Sequence, residues 1–176
     1  MSRAPEGVYY AVEDYASLSR RLVIMVVDAT VLFVVLVCTL VSYLATAEGS
    51  RVAFRAYALA YVFLCFLYLA VLARSRVGTL GYALASVRVV NLVGERPSLA
   101  AMAYRALFGA MGPFNAVLDV LWLGGDTHRQ ALRDKLAGTY VVRRGAQPAG
   151  RGRQNRVVVS VFGYTFMVRE VNRAVT

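Results

Sequence analysis

Histidine, cysteine and acid are scarce in this chain, and each scarcity removes a class of function. There is one histidine in 176 residues. His128 stands near Asp126 and Asp134 in a polar stretch, at a spacing that fits no metal-ligand motif, so no metal site is expected. The two cysteines, Cys38 and Cys65, lie inside apolar runs at different depths; they read as small buried hydrophobes, and a disulfide between them is not expected. No Ser-His-Asp set, Cys-His pair or phosphate-cradling Gly-Lys-Ser/Thr loop is present, so neither an enzyme nor a bound cofactor is expected. Acid is short too: ten Asp and Glu stand against 20 Lys and Arg, a formal net charge of +10.

Apolar surface is abundant instead. Hydrophobic residues make up 59% of the chain, above the roughly 45–50% of a soluble domain, and a chain this short cannot hide the excess in a core. Residues 22–44 form a 23-residue apolar run whose one charge is Asp28, long enough to cross about 30 Å of hydrocarbon. A second run covers 53–73, and the short loop 45–52 makes the two antiparallel neighbours. Arg20-Arg21 and Ala45-Thr46-Ala47 offer a twin-arginine signal reading of the first run. The run is longer than a signal h-region and carries an acid, so a retained span is expected.

A third apolar segment, 99–123, carries Arg105 and Asp119 and is interrupted by Gly112-Pro113; Ser98 is placed to cap its start. Proline inside a helix removes a hydrogen bond and kinks or breaks it, and each half is too short to span. A re-entrant or interfacial hairpin is expected, with a single crossing as the alternative. Charge favours the hairpin. Three basic residues precede the first span, two lie at the first loop and second-span start, four in 74–97, one is Arg105 and ten follow. The positive-inside rule then places both termini in the cytoplasm of a multi-pass protein of the cell (inner) membrane, and a single third crossing would strand ten cations outside. The expected fold class is therefore a mainly α-helical membrane protein: two transmembrane helices, a third kinked or re-entrant segment, and a small cytoplasmic β element.

That β element is expected from 86–93, which ends in the Gly94-Glu95-Arg96-Pro97 turn, from 139–142, and from 157–168, the last as one strand or a hairpin bent at Gly163. A sheet joining all three is the natural arrangement. The polar stretch before 139 reads as a short helix. The chain divides into a membrane domain 1–143, a basic Gly/Pro/Gln-rich linker 144–156 and a β-prone extension 157–176. Residues 1–19 read as a polar, mildly amphipathic lead-in. The basic residues flank apolar runs and form no separate basic domain, which argues against nucleic acid. The partners expected are the lipid bilayer, anionic lipid at Arg143, Arg144, Arg151, Arg153 and Arg156, and a homo-oligomer or membrane-complex partner.

The ligand or ion pathway candidates read from the residues are Arg21, Asp28, Arg105 and Asp119. A carboxylate within a span costs on the order of 2.5–3.5 kcal/mol, so Asp28 must face protein, water or a cation. On a helical wheel Arg21, Asp28, Thr39 and Ser42 share a face, and Arg105, Gly109, Gly112, Ala116 and Asp119 share another, whose small residues admit a close neighbour. The expectation is that the Asp28 face meets the Arg105 face. Tyr57, Tyr61 and Tyr68 line one side of the second helix, for packing or for the same cavity.

Several motifs carry a resemblance. Arg21 and Asp28 in RRLVIMVVD, then Val77-Gly78-Thr79-Leu80-Gly81-Tyr82 leading to Val87-Arg88-Val89-Val90 and Gly94-Glu95-Arg96-Pro97-Ser98, then Arg129 to Thr139 with Asp134, stand in this order. The chain resembles the RDD family of small bacterial membrane proteins, named for one arginine and two aspartates, over about residues 15–143. The resemblance implies that Asp134 is the second aspartate and adds it as the fifth ligand or ion pathway candidate. It also implies transport of small ligands or cation/proton exchange, for which two or three short segments would need a homo-oligomer. The alternative is a non-catalytic membrane subunit that assembles or regulates a partner, docked through the β-rich C-terminal part. The family often has Thr-Pro-Gly-Lys where this chain has Thr79-Leu80-Gly81-Tyr82, so no cation is offered at Tyr82.

Overall fold

A computed structural model describes residues 6–46, 50–110, 119, 122, 129–161 and 164–173. Two helices dominate it. Helix α1 is Leu18–Thr46, and α2, Arg51–Phe66, runs on through a wider π-helical stretch, Leu67–Leu72. The β-branched residues of α1 are weak helix formers in water, but in hydrocarbon every backbone polar group must be paired within the segment, which favours the helix. The hydroxyls of Thr30, Thr39, Ser42 and Thr46 each donate to the carbonyl four residues back, so they too are satisfied inside α1. Ser50 caps α2 by accepting from the Ala53 amide. Tyr43 packs edge-on against Phe54 and Tyr57, which joins the two helices near the connection.

At about 1.5 Å per residue the 29-residue α1 and the 22-residue Arg51–Leu72 helix are both long enough to cross a bilayer. Only 11% and 6% of their most apolar windows are buried within the chain. The core helix of a soluble domain would be mostly covered, so the uncovered apolar faces suit lipid. In α1 the buried residues are Arg21, Ile24 and Asp28, all towards the end where the helix begins.

The other described elements gather at that end. Thr79 caps the short helix α3, Leu80–Leu84. Strand β2, Val87–Asn91, then pairs antiparallel with β3, Thr139–Arg143. Between them lie α4, Leu99–Ala110, and the single-turn helix α5, Leu132–Leu136. Ser98 caps α4 as expected, accepting from the Ala101 amide at 3.1 Å. Gly138, at φ +63°, follows α5 as the left-handed stop that frees the chain to enter β3. The β2–β3 ribbon is covered on both faces. Val87, Val89 and Val141 pack with Ile24, Ala70, Tyr82 and Met102 under the helices. Val90, Leu92, Tyr140 and Val142 pack on the other side, with Tyr10, Tyr15 and Val171. Tyr10, Tyr15 and Tyr140 meet there edge-on, with ring centroids 5.5–6.3 Å apart.

The C-terminal strands do not join this ribbon. Strand β4, Gly150–Val161, pairs antiparallel with β5, Tyr164–Arg173, and on its other edge with β1, Glu6–Tyr9, giving a separate sheet of order β1-β4-β5. Three expectations change. The single sheet is two. Residues 6–9, taken as polar lead-in, are a strand. Residues 150–156, taken as linker, are the first half of β4. The reason lies in Gly7 and Gly152, which sit opposite each other in register. A Cβ on Gly7 would fall 2.4 Å from the Val171 side chain, and one on Gly152 would fall 2.9 Å from it. Glycine here makes the slot that buries Val171, so the composition that reads as linker is a packing requirement. The 157–168 segment is a hairpin, strands ending at Val161 and resuming at Tyr164. Gly163, Gly112-Pro113 and the course of the third apolar segment beyond Ala110 lie outside the described residues.

Candidate functional site

The charged side chains of the helices converge at the covered end. Arg21 on α1 reaches Asp134 on α5, Nη1 to Oδ2 at 2.6 Å. Arg105 on α4 donates through Nη1 to the other oxygen, Oδ1, of the same carboxylate. All three side chains are buried, Asp134 completely. The remaining donors are absorbed as well. Arg21 Nη2 donates to the Arg129 carbonyl at 2.9 Å, and Arg129 is held at φ 46°, a left-handed conformation costly for a residue with a Cβ. Arg105 Nη1 also donates to the Thr139 hydroxyl at 2.7 Å, and Nη2 to the Tyr82 hydroxyl at 3.4 Å. Asp134 accepts in turn from the Ala131 amide at the start of its own helix.

Asp28 sits elsewhere on the same wall. Its Oδ1 accepts from the Tyr68 hydroxyl at 2.7 Å and the Gly81 amide at 2.9 Å; its Oδ2 accepts from the Thr79 hydroxyl at 2.8 Å. The π-helical stretch carries Tyr68, and such wide turns recur at functional sites. Thr79 serves twice, as cap of α3 and as donor to Asp28. Asp119 pairs with Arg133, Oδ2 to Nε at 2.9 Å, and accepts from the Arg133 amide. The expected meeting of Asp28 with Arg105 is therefore corrected: α3 inserts beside α1 and supplies Asp28 with neutral donors, while Arg105 turns to Asp134.

These groups share one cavity of about 220 Å³, lined by Arg21, Asp28, Arg105, Asp119 and Arg133 together with apolar residues of α1 and α4. Asp134 stands behind the two arginines. Counted together, three guanidinium groups face three carboxylates, and the local sum is zero. The balance is uneven in space: Asp134 shared by Arg21 and Arg105 leaves one positive charge over, and Asp28 holds one negative charge about 10 Å along α1 from Arg21. A cavity with a charge of each sign at its two ends can orient a small polar solute between them.

Burial acts on Asp134 by raising its affinity for a proton, but Arg105, then Arg21 and Arg133, act the other way and hold its carboxyl well below the usual range, at about 2. Because this value lies below that of the unfolded chain, the contribution to stability is complete above about pH 4 and is lost as the pH falls towards 2. A detergent-purified sample is expected to hold its unfolding temperature down to about pH 4 and then to lose it steeply by pH 2. A flat profile through that window would count against the assignment.

All five candidates from the sequence thus line or back one site, and Arg21, Arg105 and Asp134 touch. Sequence reasoning quoted Thr79, Gly81, Tyr82, Arg133 and Thr139 within motifs but assigned none of them to the site. Thr79 and Gly81 stand inside the quoted motif, but only the approach of α3 to α1 assigns them to Asp28. Tyr57 bonds to Thr46 and Tyr61 to the Leu32 carbonyl, so of the three aligned tyrosines Tyr68 alone reaches the site. Both cysteines are free.

The arrangement defines a class: a small protein with two helices suited to crossing a membrane and a buried arginine–aspartate cluster beneath them. The family model of the RDD family matches residues 15–138, and the chain belongs to that family. No curated protein and no solved structure matches it.

Proposed function

We propose that this RDD-family chain is a multi-pass protein of the inner membrane, with both termini cytoplasmic, that moves a small ligand or exchanges a cation for a proton as a homo-oligomer. The observation that carries this reading is the shared cavity, in which Asp28 is held by neutral donors while the neighbouring arginines are drawn to Asp134. Asp28 is the group that takes up and releases the proton or cation. The described residues of one chain offer two long apolar helices, too few to enclose a path, so the conduit forms between copies.

Asp28→Asn is a clean test, because the amide can keep the shape of the site. Its oxygen can accept from Tyr68 and Gly81, and its nitrogen can donate to the Thr79 hydroxyl. In proteoliposomes carrying Na⁺, K⁺ or Li⁺ gradients, wild type is expected to show proton-coupled flux and folded Asp28→Asn to lose most of it, because an ionisable residue within a span marks an ion or proton path. Silent wild type with all three cations would sink cation exchange by the isolated chain.

One observation favours the second reading, a non-catalytic subunit for a partner protein. Val158 and Met167 are directly paired across the β4–β5 hairpin, and both are exposed. They form an apolar patch on a two-stranded extension that strand addition from a partner could cover. Flux by the isolated chain separates the two.

A further inference from the structure

A second cavity, of about 480 Å³, opens where Arg51–Leu72 ends, and five arginines line it: Arg74, Arg76, Arg88, Arg96 and Arg144, with Glu95. They come from four places in the fold: the exit of the long helix, strand β2, the turn after it, and the end of β3. Among the described residues none of the five pairs with a carboxylate. Three are fixed by backbone carbonyls. Arg74 Nε donates to the Pro97 carbonyl at 2.7 Å, Arg88 Nη2 to the Ala146 carbonyl at 3.0 Å, and Arg144 to the Val87 and Val77 carbonyls. Each fork keeps at least one terminal nitrogen for a ligand.

From this we infer that the cavity binds the phosphate of an anionic lipid head group. Guanidinium forks match phosphate oxygens in geometry and charge. The rule that orients spans accounts for cations flanking a helix; it does not require that they converge on one cavity. Lipid is favoured over free phosphate by the rim. Leu72 closes the long helix one residue before Ala73, which lines the cavity, and Leu72 and the lining residue Val77 are both exposed. Apolar side chains at the mouth of a basic pocket suit acyl chains entering from the bilayer. This site differs in place from the transport cavity, and it stands or falls without it.

The test uses the full chain in a neutral detergent, with phosphatidylglycerol, phosphatidylcholine and inorganic phosphate as probes, read by thermal shift and by lipid retained in native mass spectrometry. Wild type is expected to bind phosphatidylglycerol at least about tenfold more tightly than phosphatidylcholine, and the Arg76→Gln/Arg96→Gln variant to lose about that factor. Arg96→Gln alone, an exposed side chain without a hydrogen bond among the described residues, gives a second variant that keeps its fold. Arg151→Gln/Arg153→Gln, in β4, is expected to retain wild-type binding. The inference is overturned if the cavity variants bind like wild type, if the β4 variant carries the loss, or if inorganic phosphate shifts the unfolding temperature as far as the lipid does.

Discussion

Asp134→Asn is expected to be the most damaging single substitution in the chain, at a cost of about 3–5 kcal/mol, because it leaves two buried arginines facing each other without their shared carboxylate. The cost does not come from the loss of two favourable contacts alone. Desolvating a charge is expensive, and Arg21 and Arg105 have both been desolvated on the condition that Asp134 is present. The same reasoning ranks the partners. Arg105→Gln leaves Asp134 with Arg21, and Arg21→Gln leaves it with Arg105 and the Ala131 amide, so each should cost less than Asp134→Asn. Removing all three charges with apolar residues of similar volume should recover part of the loss. The measurement is thermal unfolding of detergent-solubilised protein by size-exclusion recovery, across the three single variants and the triple. If either arginine variant proves worse than Asp134→Asn, the carboxylate is not the hub of the cluster.

Much of the architecture is legible in the sequence, for a physical reason in each case. The two long helices follow from length and apolar content, which are one-dimensional properties, because a bilayer imposes a fixed thickness and demands internal hydrogen bonding. Arg21, Asp28, Arg105 and Asp119 are legible because an ionised group within or beside an apolar run is costly and needs a partner, whereas Asp134, in a polar stretch, is legible only through the resemblance to the family. Their partners are not. Arg21 and Asp134 are 113 residues apart, and a helical wheel reports which way a side chain faces but not which element packs opposite it. On the wheel alone Asp28 and Arg105 are natural partners. The short helix α3 decides otherwise, and nothing in the five residues Leu80–Leu84 announces where they dock. The sheet β1-β4-β5 is hidden for a different reason. Its pairing rests on backbone hydrogen bonds and on two glycines that clear space for Val171, so residues 150–156 carry no alternation of polar and apolar side chains and resemble a linker.

The docking of α3 makes a sharp prediction of its own. Gly81 lies so close to α1 that a Cβ would fall 2.7 Å from Asp28 Oδ1 and 2.8 Å from the Ile24 carbonyl oxygen. The first contact belongs to a short side chain already held by three donors, and the second to helical backbone, so neither can yield cheaply. Overpacking of this kind costs about 1–3 kcal/mol, and the forced separation also lengthens the Gly81 amide bond to Asp28, a charge-assisted bond worth about 1.5–3 kcal/mol. Gly81→Ala is therefore expected to destabilise the protein by about 3 kcal/mol and to release the Thr79 hydroxyl from Asp28 as α3 moves away. Gly145→Ala supplies the control, since a Cβ there meets nothing within 4 Å. Hydrogen exchange at the Gly81 and Tyr82 amides would read the displacement directly. Faster exchange in Gly81→Ala with no change in Gly145→Ala supports the close approach. Equal stability of the two variants would mean that α3 is not seated against Asp28, and the three-donor cradle that gives Asp28 its place in the proposed pathway would go with it.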